Sequence, residues 1–267
     1  MPETPPPNTA DAGLELSTHF VRSRNAMVAS ADFGDLYVDY YLHLADHGLK
    51  PESEHDRLFK RALAGFVLHC ASRPWNELAA WTINFQTPLL NVFLVGDNDT
   101  GAVAGRVFEE NVRSLPSAVF YADVVRGAEP TRRSAVEFQG SDPLVAIETF
   151  YAQSEQRIAR LFQTGEEHFT LVTEHPDCDL AWLRALALDD ARALAQSEVL
   201  SPLERRIYRW HCGCTLERMM DVLMPTMRKD PSLLFGDGDS LEIRCPRCGG
   251  RYSVSRHVMA ERSDRKR

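Results

Sequence analysis

From Glu54 to Cys70 the apolar positions Leu58, Phe59, Ala62, Leu63, Phe66, Val67 and Cys70 recur at helical spacing, which predicts a helix buried along one face. Strand-like runs follow at 79–85 and 89–95, and a third at 102–108 comes after the turn-forming sequence GDNDTG. Residues 118–138 read as a hairpin that turns between Gly127 and Pro130. Over 141–162, Asp142 suits an N-cap and Pro143 the first helical position. Leu144, Ile147, Tyr151, Ile158, Leu161 and Phe162 then mark the buried face of one predicted helix. Residues 168–174 predict a strand and 179–195 a helix. Hairpins without strict strand–helix alternation speak against a doubly wound parallel sheet. The pattern predicts an α+β fold: an N-terminal body of antiparallel or mixed sheets with packed helices, and a small C-terminal module.

The end of the chain reads differently. Ser201, Pro202 and Glu204 form a capping-box pattern, so SPLERRIYRW is expected to be a short helix. Beyond it Thr215 can cap the helix LERMMDVLM, which Pro225 is expected to end. The turn GDGDS precedes two strand-like pieces, LEIRC and RYSV, and Ser255 can cap a last helical turn. The expected organisation is a disordered, proline-rich lead over 1–17 and a body over 18–188. A helical linker over 189–210, a metal-binding module over 211–260 and a basic tail over 261–267 complete it.

Composition narrows the function classes. A net charge of -8 argues against a general affinity for nucleic acid or for anionic membranes. The opening MPETPPPNTADAG lacks the basic start and apolar stretch of a secretory signal. The strongly apolar run at 62–71 is too short to cross a bilayer. A cytoplasmic location is therefore expected, where thiols stay reduced. Close cysteine pairs then point to metal or redox chemistry before structural disulfides.

Four of the six cysteines lie near the C-terminus, as Cys212 and Cys214 in CGC and Cys245 and Cys248 in CPRCGG. The glycines let the backbone curl so that amides can face thiolate sulfurs. Two pairs on tight turns can give four thiolates to a tetrahedral zinc ion, and an all-sulfur set favours zinc over calcium or magnesium. An iron–sulfur cluster is the alternative. Zinc can act here as a staple, supplying roughly 10–16 kcal/mol to a module too small to fold alone. It can equally act as a switch, because thiolates are the form that oxidants attack. Cys70 falls on an apolar helix face and reads as an inert buried thiol. Cys178 has His175 near in sequence but no third partner for nucleophilic catalysis, and His211 and His257 are not needed as ligands. Glu109/Glu110, Glu166/Glu167 and Asp189/Asp190 read as solvated faces. No catalytic constellation stands out, so the chain is not expected to be an enzyme.

CGC followed by a capped helix, then CPRCGGRYSV with Tyr252 soon after the second pair, resembles the zinc module of the heat-shock protein 33 family. The helix sequence GSDPLVAIETFYAQSEQRIARLF resembles that family's core helix, and the strands between 75 and 138 fall in the family's order. The stretch SEVLSPLERRIYRW is shorter than the linker of that family. The resemblance implies a redox-regulated, ATP-independent chaperone. Reduced, Cys212, Cys214, Cys245 and Cys248 hold zinc and the protein is inactive. Oxidation joins Cys212 to Cys214 and Cys245 to Cys248, zinc leaves, and module and linker unfold. The protein is then expected to form a homodimer, bind unfolding clients and pass them to an ATP-dependent foldase system. Met219, Met220, Val222, Leu223 and Met224, with Leu203, Ile207, Tyr208 and Trp210, would supply freed apolar surface. The competing reading is a constitutive protein-binding module with a purely structural zinc site. A thiol–disulfide oxidoreductase is less well supported, because its CxxC opens a helix, whereas CPRC sits between strands.

Overall fold

The structure is a computed structural model and describes residues 13–265. The expected disordered lead falls outside these residues over 1–12, as do the last two of the expected basic tail. By contact density the chain divides into two compact units. One comprises the chain up to Tyr40 with Pro51–His211, and the other comprises Tyr41–Lys50 with Cys212 onward. The fold class is α+β, as expected from the sequence.

The first unit begins with strands β1 (Leu14–Val21) and β2 (Ala26–Asp32) and the start of helix α1 (Gly34–Asp46). Helix α2 (Ser53–Ala71) follows, then strands β3 (Glu77–Gln86), β4 (Leu89–Asp97), β5 (Ala102–Phe108), β6 (Ala118–Arg126) and β7 (Arg132–Phe138). After helix α3 (Pro143–Gln153) come strands β8 (Ala159–Gln163) and β9 (His168–Glu174). Three short helices, α4 (Leu180–Ala185), α5 (Leu188–Arg192) and α6 (Leu194–Ser197), lead into strand β10 (Leu200–Trp210). The strands form one sheet in the order β7-β6-β3-β4-β5-β10-β1-β2-β9-β8. Every neighbouring pair is antiparallel except β10 with β5, which run parallel through only Arg209↔Ala102 and Trp210↔Val103.

Two expectations are corrected in this unit. The helix predicted over 141–162 stops at Gln153, and Leu161 and Phe162 belong to β8, where they are buried by strand pairing with β9. Gln156, at a φ of 54°, turns the chain between them. The expected helical linker over 189–210 holds α5 and α6, but Leu200–Trp210 is a strand. It pairs with β1 from Leu14↔Tyr208 to Val21↔Leu200, and Arg206 and Tyr208 are buried while Leu203, Arg205 and Ile207 are exposed. Pro202, which has no N–H, sits beside the register shift at Thr18/His19. The capping-box pattern was therefore overridden by a partner strand that begins inside the expected lead, at Leu14.

The body's core sits where α2 and α3 cover the sheet. Phe120 stacks on Phe150 at 4.8 Å, with Trp81 edge-on to both. His69 shares a buried hydrogen bond with Tyr151 at 2.8 Å. Gly65 lets α2 approach this layer, since a Cβ there would lie 2.9 Å from Leu161 Cδ2. Asn98, buried in the turn after β4, donates to the carbonyls of Cys70 and Pro74 at 2.9 Å and accepts from the Tyr208 hydroxyl at 3.1 Å. One amide thus ties the end of α2 to β10. Removing it leaves a buried hydroxyl without its acceptor and carbonyls without a donor. Asn98→Ala is expected to lower unfolding free energy by about 2 kcal/mol, read as a lower urea midpoint at unchanged slope.

Candidate metal centre

The second unit carries the four clustered cysteines. Helix α7 (Leu216–Lys229) follows CGC, and the short helix α8 (Ser232–Phe235) leads into the hairpin β11 (Ser240–Arg244) and β12 (Arg251–Ser255). Helix α9 (Arg256–Arg265) closes it, so the expected basic tail is helical as far as Arg265. Thr215 caps α7 by accepting from the Arg218 amide at 3.3 Å, and the Ser255 hydroxyl accepts from Val258 N–H at 3.3 Å. Pro225 does not end α7, which continues to Lys229. Burial of Met227, beyond the proline, holds the helix past the lost hydrogen bond.

Two glycines shape the ligand loops. Gly213, between the paired cysteines, has a φ of 67°, and Gly249, after the second pair, has a φ of 76°. Any side chain at either position would be strained in the left-handed region. In the knuckle the Cys245 amide donates to Gly250 O at 2.8 Å and the Gly249 amide to Cys245 O at 2.9 Å, which turns both sulfurs to one side. Cys245 and Cys248 are buried, and Cys212 and Cys214 half-buried.

The four sulfurs lie within 4.8 Å of one another. Cys212 Sγ is 3.6 Å from Cys245 Sγ, and Cys214 Sγ is 3.4 Å from Cys248 Sγ. Sulfurs at the corners of a tetrahedron with metal–sulfur bonds of about 2.3 Å stand about 3.8 Å apart. The arrangement therefore fits one four-coordinate ion.

Hydrogen bonding divides the charge among the thiols. Cys245 is held far below the ordinary thiol range by hydrogen bonds from Cys212, Cys214 and Cys248. Cys214 is lowered to about 6, first by Cys212, with Cys248 and the Tyr252 hydroxyl adding to it. Cys212 and Cys248, which keep the shared protons, are pushed up. The Tyr252 hydroxyl lies 3.1 Å from Cys214 Sγ and 3.0 Å from Cys214 O, so its one hydrogen is shared between the two acceptors.

No protein-family profile and no curated protein matches the chain. Among solved structures it is similar to the crystal structure of the 33 kDa chaperonin, a heat-shock protein 33 homologue, from Thermotoga maritima. The TM-score is 0.69 over 96% of this chain and 99% of that one, at 15% identity. The chain has a heat-shock protein 33-like fold.

Within that fold the other sequence candidates take structural places. Cys70 is buried, and burial pushes its thiol up. Cys178 sits against the cluster of Val21, Leu183 and Leu186, and burial raises it too. His211 and His257 are not among the clustered ligands, and His257 lies 3.7 Å from Glu261. The acidic pairs serve the fold: Glu109 pairs with His55 at 2.6 Å, Glu167 with Lys60 at 3.0 Å and Asp189 with Arg192 at 3.1 Å. No helix among the described residues is long and apolar enough to cross a membrane.

Sequence reasoning missed two histidines that the heat-shock protein 33-like fold brings to the knuckle from the end of α1. His43 Nε2 donates to Cys248 O at 3.2 Å, and His47 Nδ1 accepts from the Arg251 amide at 3.0 Å. The His47 ring stands edge-on to Tyr252 at 5.3 Å, over Gly250, where a Cβ would meet it at 3.0 Å. Only the i, i+4 spacing of His43 and His47 was available as a signal, and it named no partner. In metal-free, reduced protein Cys214 is expected to be alkylated by iodoacetamide with a rate that rises as pH increases through about 6. Tyr252→Phe removes one donor and is expected to move that midpoint upward, read by mass mapping of labelled Cys214.

Proposed function

We propose that this chain is a redox-regulated, ATP-independent holdase whose switch is the four-cysteine site. The observation that carries this reading is the fit of four thiolates to one ion, in a chain with a heat-shock protein 33-like fold. Cys212, Cys214, Cys245 and Cys248 are the metal ligands and the redox-active residues. Their soft sulfur set selects zinc in a compartment that keeps thiols reduced, as the cytoplasm does. Bound zinc supplies the cross-link that keeps CGC and the CPRCGG knuckle together.

Oxidation uses the chain's own sulfurs. Cys212 Sγ bonds to Cys214 Sγ and Cys245 Sγ to Cys248 Sγ; each bond releases two electrons to one peroxide, which with two protons leaves as two waters. A disulfide sulfur no longer donates as a thiolate, so the site loses its metal. The module's own core is small, and without the cross-link it opens. Met220 and Met224, buried in the closed module, join exposed Val222 and half-buried Met219 and Leu223 as surface for unfolding clients. A homodimer of the oxidised form and an ATP-dependent foldase that receives the clients complete the proposed cycle.

A specific observation favours a second reading, constitutive binding with a structural metal. Val199, Leu203 and Ile207 are already 61%, 53% and 44% exposed with the module closed. Suppression of aggregation of a thermally unfolding client separates the two. The zinc-loaded, reduced chain is expected to leave aggregation unchanged, and the peroxide-treated chain to suppress it. Equal activity in both states overturns the switch. In parallel, peroxide is expected to release zinc to a colorimetric chelator with loss of the four thiols, whereas a resistant site supports the constitutive reading.

A further inference from the structure

The core of the metal-binding module is built from thioethers. Met220, Met224 and Met227 fall on one face of α7 and pack with Phe235, Val254 and Met259, and all six are buried. Half-buried Leu216, Leu223, Leu234, Leu241, Ile243 and Ala260 surround them. The chain has seven methionines. Among the described residues these four are the only buried ones, and Met27, in the first unit, is half-buried. That unit's core is made instead of leucine, isoleucine, valine, alanine and aromatic side chains, and its cysteines are Cys70, buried, and Cys178, half-buried. The oxidisable sulfur of the protein is thus concentrated in one module, as ligands on one side and as core on the other.

Leucine would fill such positions with nearly the same volume and no reactive atom. A thioether differs in one chemical respect that matters here: it takes up oxygen from the same oxidants that attack thiolates. We propose that Met220, Met224, Met227 and Met259 are a second oxidant-sensitive element, whose oxidation prevents the opened module from closing again even after its cysteines are reduced. This deepens the oxidation reading above and uses the same oxidants, hypochlorous acid or hydrogen peroxide.

The step is an oxygen transfer. With peroxide the methionine sulfur attacks one oxygen, an S–O bond forms and the O–O bond breaks; with hypochlorous acid the sulfur takes the chlorine, releasing hydroxide, and water then displaces chloride to give the same sulfoxide. Hypochlorous acid leaves as hydrochloric acid and peroxide as water. Closed, the module shields the four sulfurs, whose residues are 0–6% exposed. Open, it presents them. The sulfoxide oxygen is a strong acceptor, and the side chains of the cluster, all methionine, phenylalanine, valine, leucine, isoleucine or alanine, offer no donor. Each buried sulfoxide therefore lowers the closed-to-open ratio by about tenfold or more. Because the ligand loops sit on the same elements, metal recapture falls with it. Thiol reductants restore the cysteines, but the sulfoxides need a methionine sulfoxide reductase. Return to the closed state then requires two kinds of repair.

The test opens the zinc-loaded full chain with a chelator, treats it with hypochlorous acid, restores all thiols with dithiothreitol, and offers zinc again. Bound zinc, thiol count and sulfoxide at each methionine are measured. The wild-type chain is expected to regain its thiols yet recapture zinc with at least about tenfold weaker affinity, and sulfoxide reductase treatment is expected to restore it. A chain carrying Met220→Leu, Met224→Leu, Met227→Leu and Met259→Leu is expected to recapture zinc normally without that treatment. Unimpaired recapture by wild-type chain bearing sulfoxide at these four positions overturns the proposal, as does failure of reductase to restore it. If the leucine variant does not bind zinc at the outset, the reductase arm alone decides. Peroxide that leaves zinc bound when no chelator is used sinks the switch reading instead, and the chelator-opened arm still judges the methionines.

Discussion

The second unit depends on one constraint: four sulfurs, contributed by two loops more than thirty residues apart in sequence, must converge within 4.8 Å. Little else in the unit holds those loops together. Its hairpin has five paired positions, and its apolar core has six buried residues. A unit of that size cannot offset its chain entropy by burial alone. Thiolates forced this close repel one another, and the protons left on Cys212 and Cys248 relieve that only partly. An ion that draws all four together turns the repulsion into the strongest contact in the unit. The same dependence is what allows a change at sulfur to act on the whole unit.

The first unit shows the opposite design. Its stability is spread over a ten-stranded sheet, a continuous aromatic layer and buried polar ties. Asn98 joins α2 to β10, and Glu77, almost fully buried, is held by Arg73 at 2.9 Å and by Arg126. No single chemical event at the surface reaches these ties. Cys70 contributes its carbonyl to the Asn98 and Arg206 contacts, while its thiol stays protonated in the apolar layer. A unit whose stability is spread over many contacts, in one chain with a unit that depends on a single cluster, is what the proposed switch would require, since the second could open without dissolving the first.

Local patterns made the hairpins legible. Runs bounded by glycine and asparagine turns placed β3 to β7 and the β11–β12 pair close to their observed ends, and Asp142 and Thr215 cap the helices they were expected to cap. The cluster of four cysteines was legible for the same reason: close pairs on glycine-bearing turns are a local signature. What failed depended on partners distant in sequence. Ser201, Pro202 and Glu204 read as a helix start until β1 supplies a strand from the other end of the chain. Leu161 and Phe162 continue the helical spacing of α3, yet β9 recruits them into the sheet. His43 and His47 had no meaning before the knuckle was placed beside them. Burial beyond Pro225 likewise carried α7 past a residue that ends most helices.

Sequence spacing also bears on how the sulfurs would pair on oxidation. In the closed unit the contacts at 3.6 Å and 3.4 Å run between the two loops, Cys212 to Cys245 and Cys214 to Cys248. A disulfide needs sulfurs about 2.05 Å apart, so a bond across the loops forms only while the fold holds them together. In the proposed cycle the first bond would cost the site its metal, and that hold would weaken. Cys212 and Cys214 then remain neighbours through a single glycine, and Cys245 and Cys248 through Pro246 and Arg247. The entropy of closing so short a loop is nearly independent of whether the unit is folded, whereas closing a loop of some thirty residues is not. Pairing within each motif, which the resemblance implies, would thus be favoured in the proposed cycle as the unit opens. Such bonds leave the two loops unlinked, which is the condition for the methionine core to separate and meet solvent.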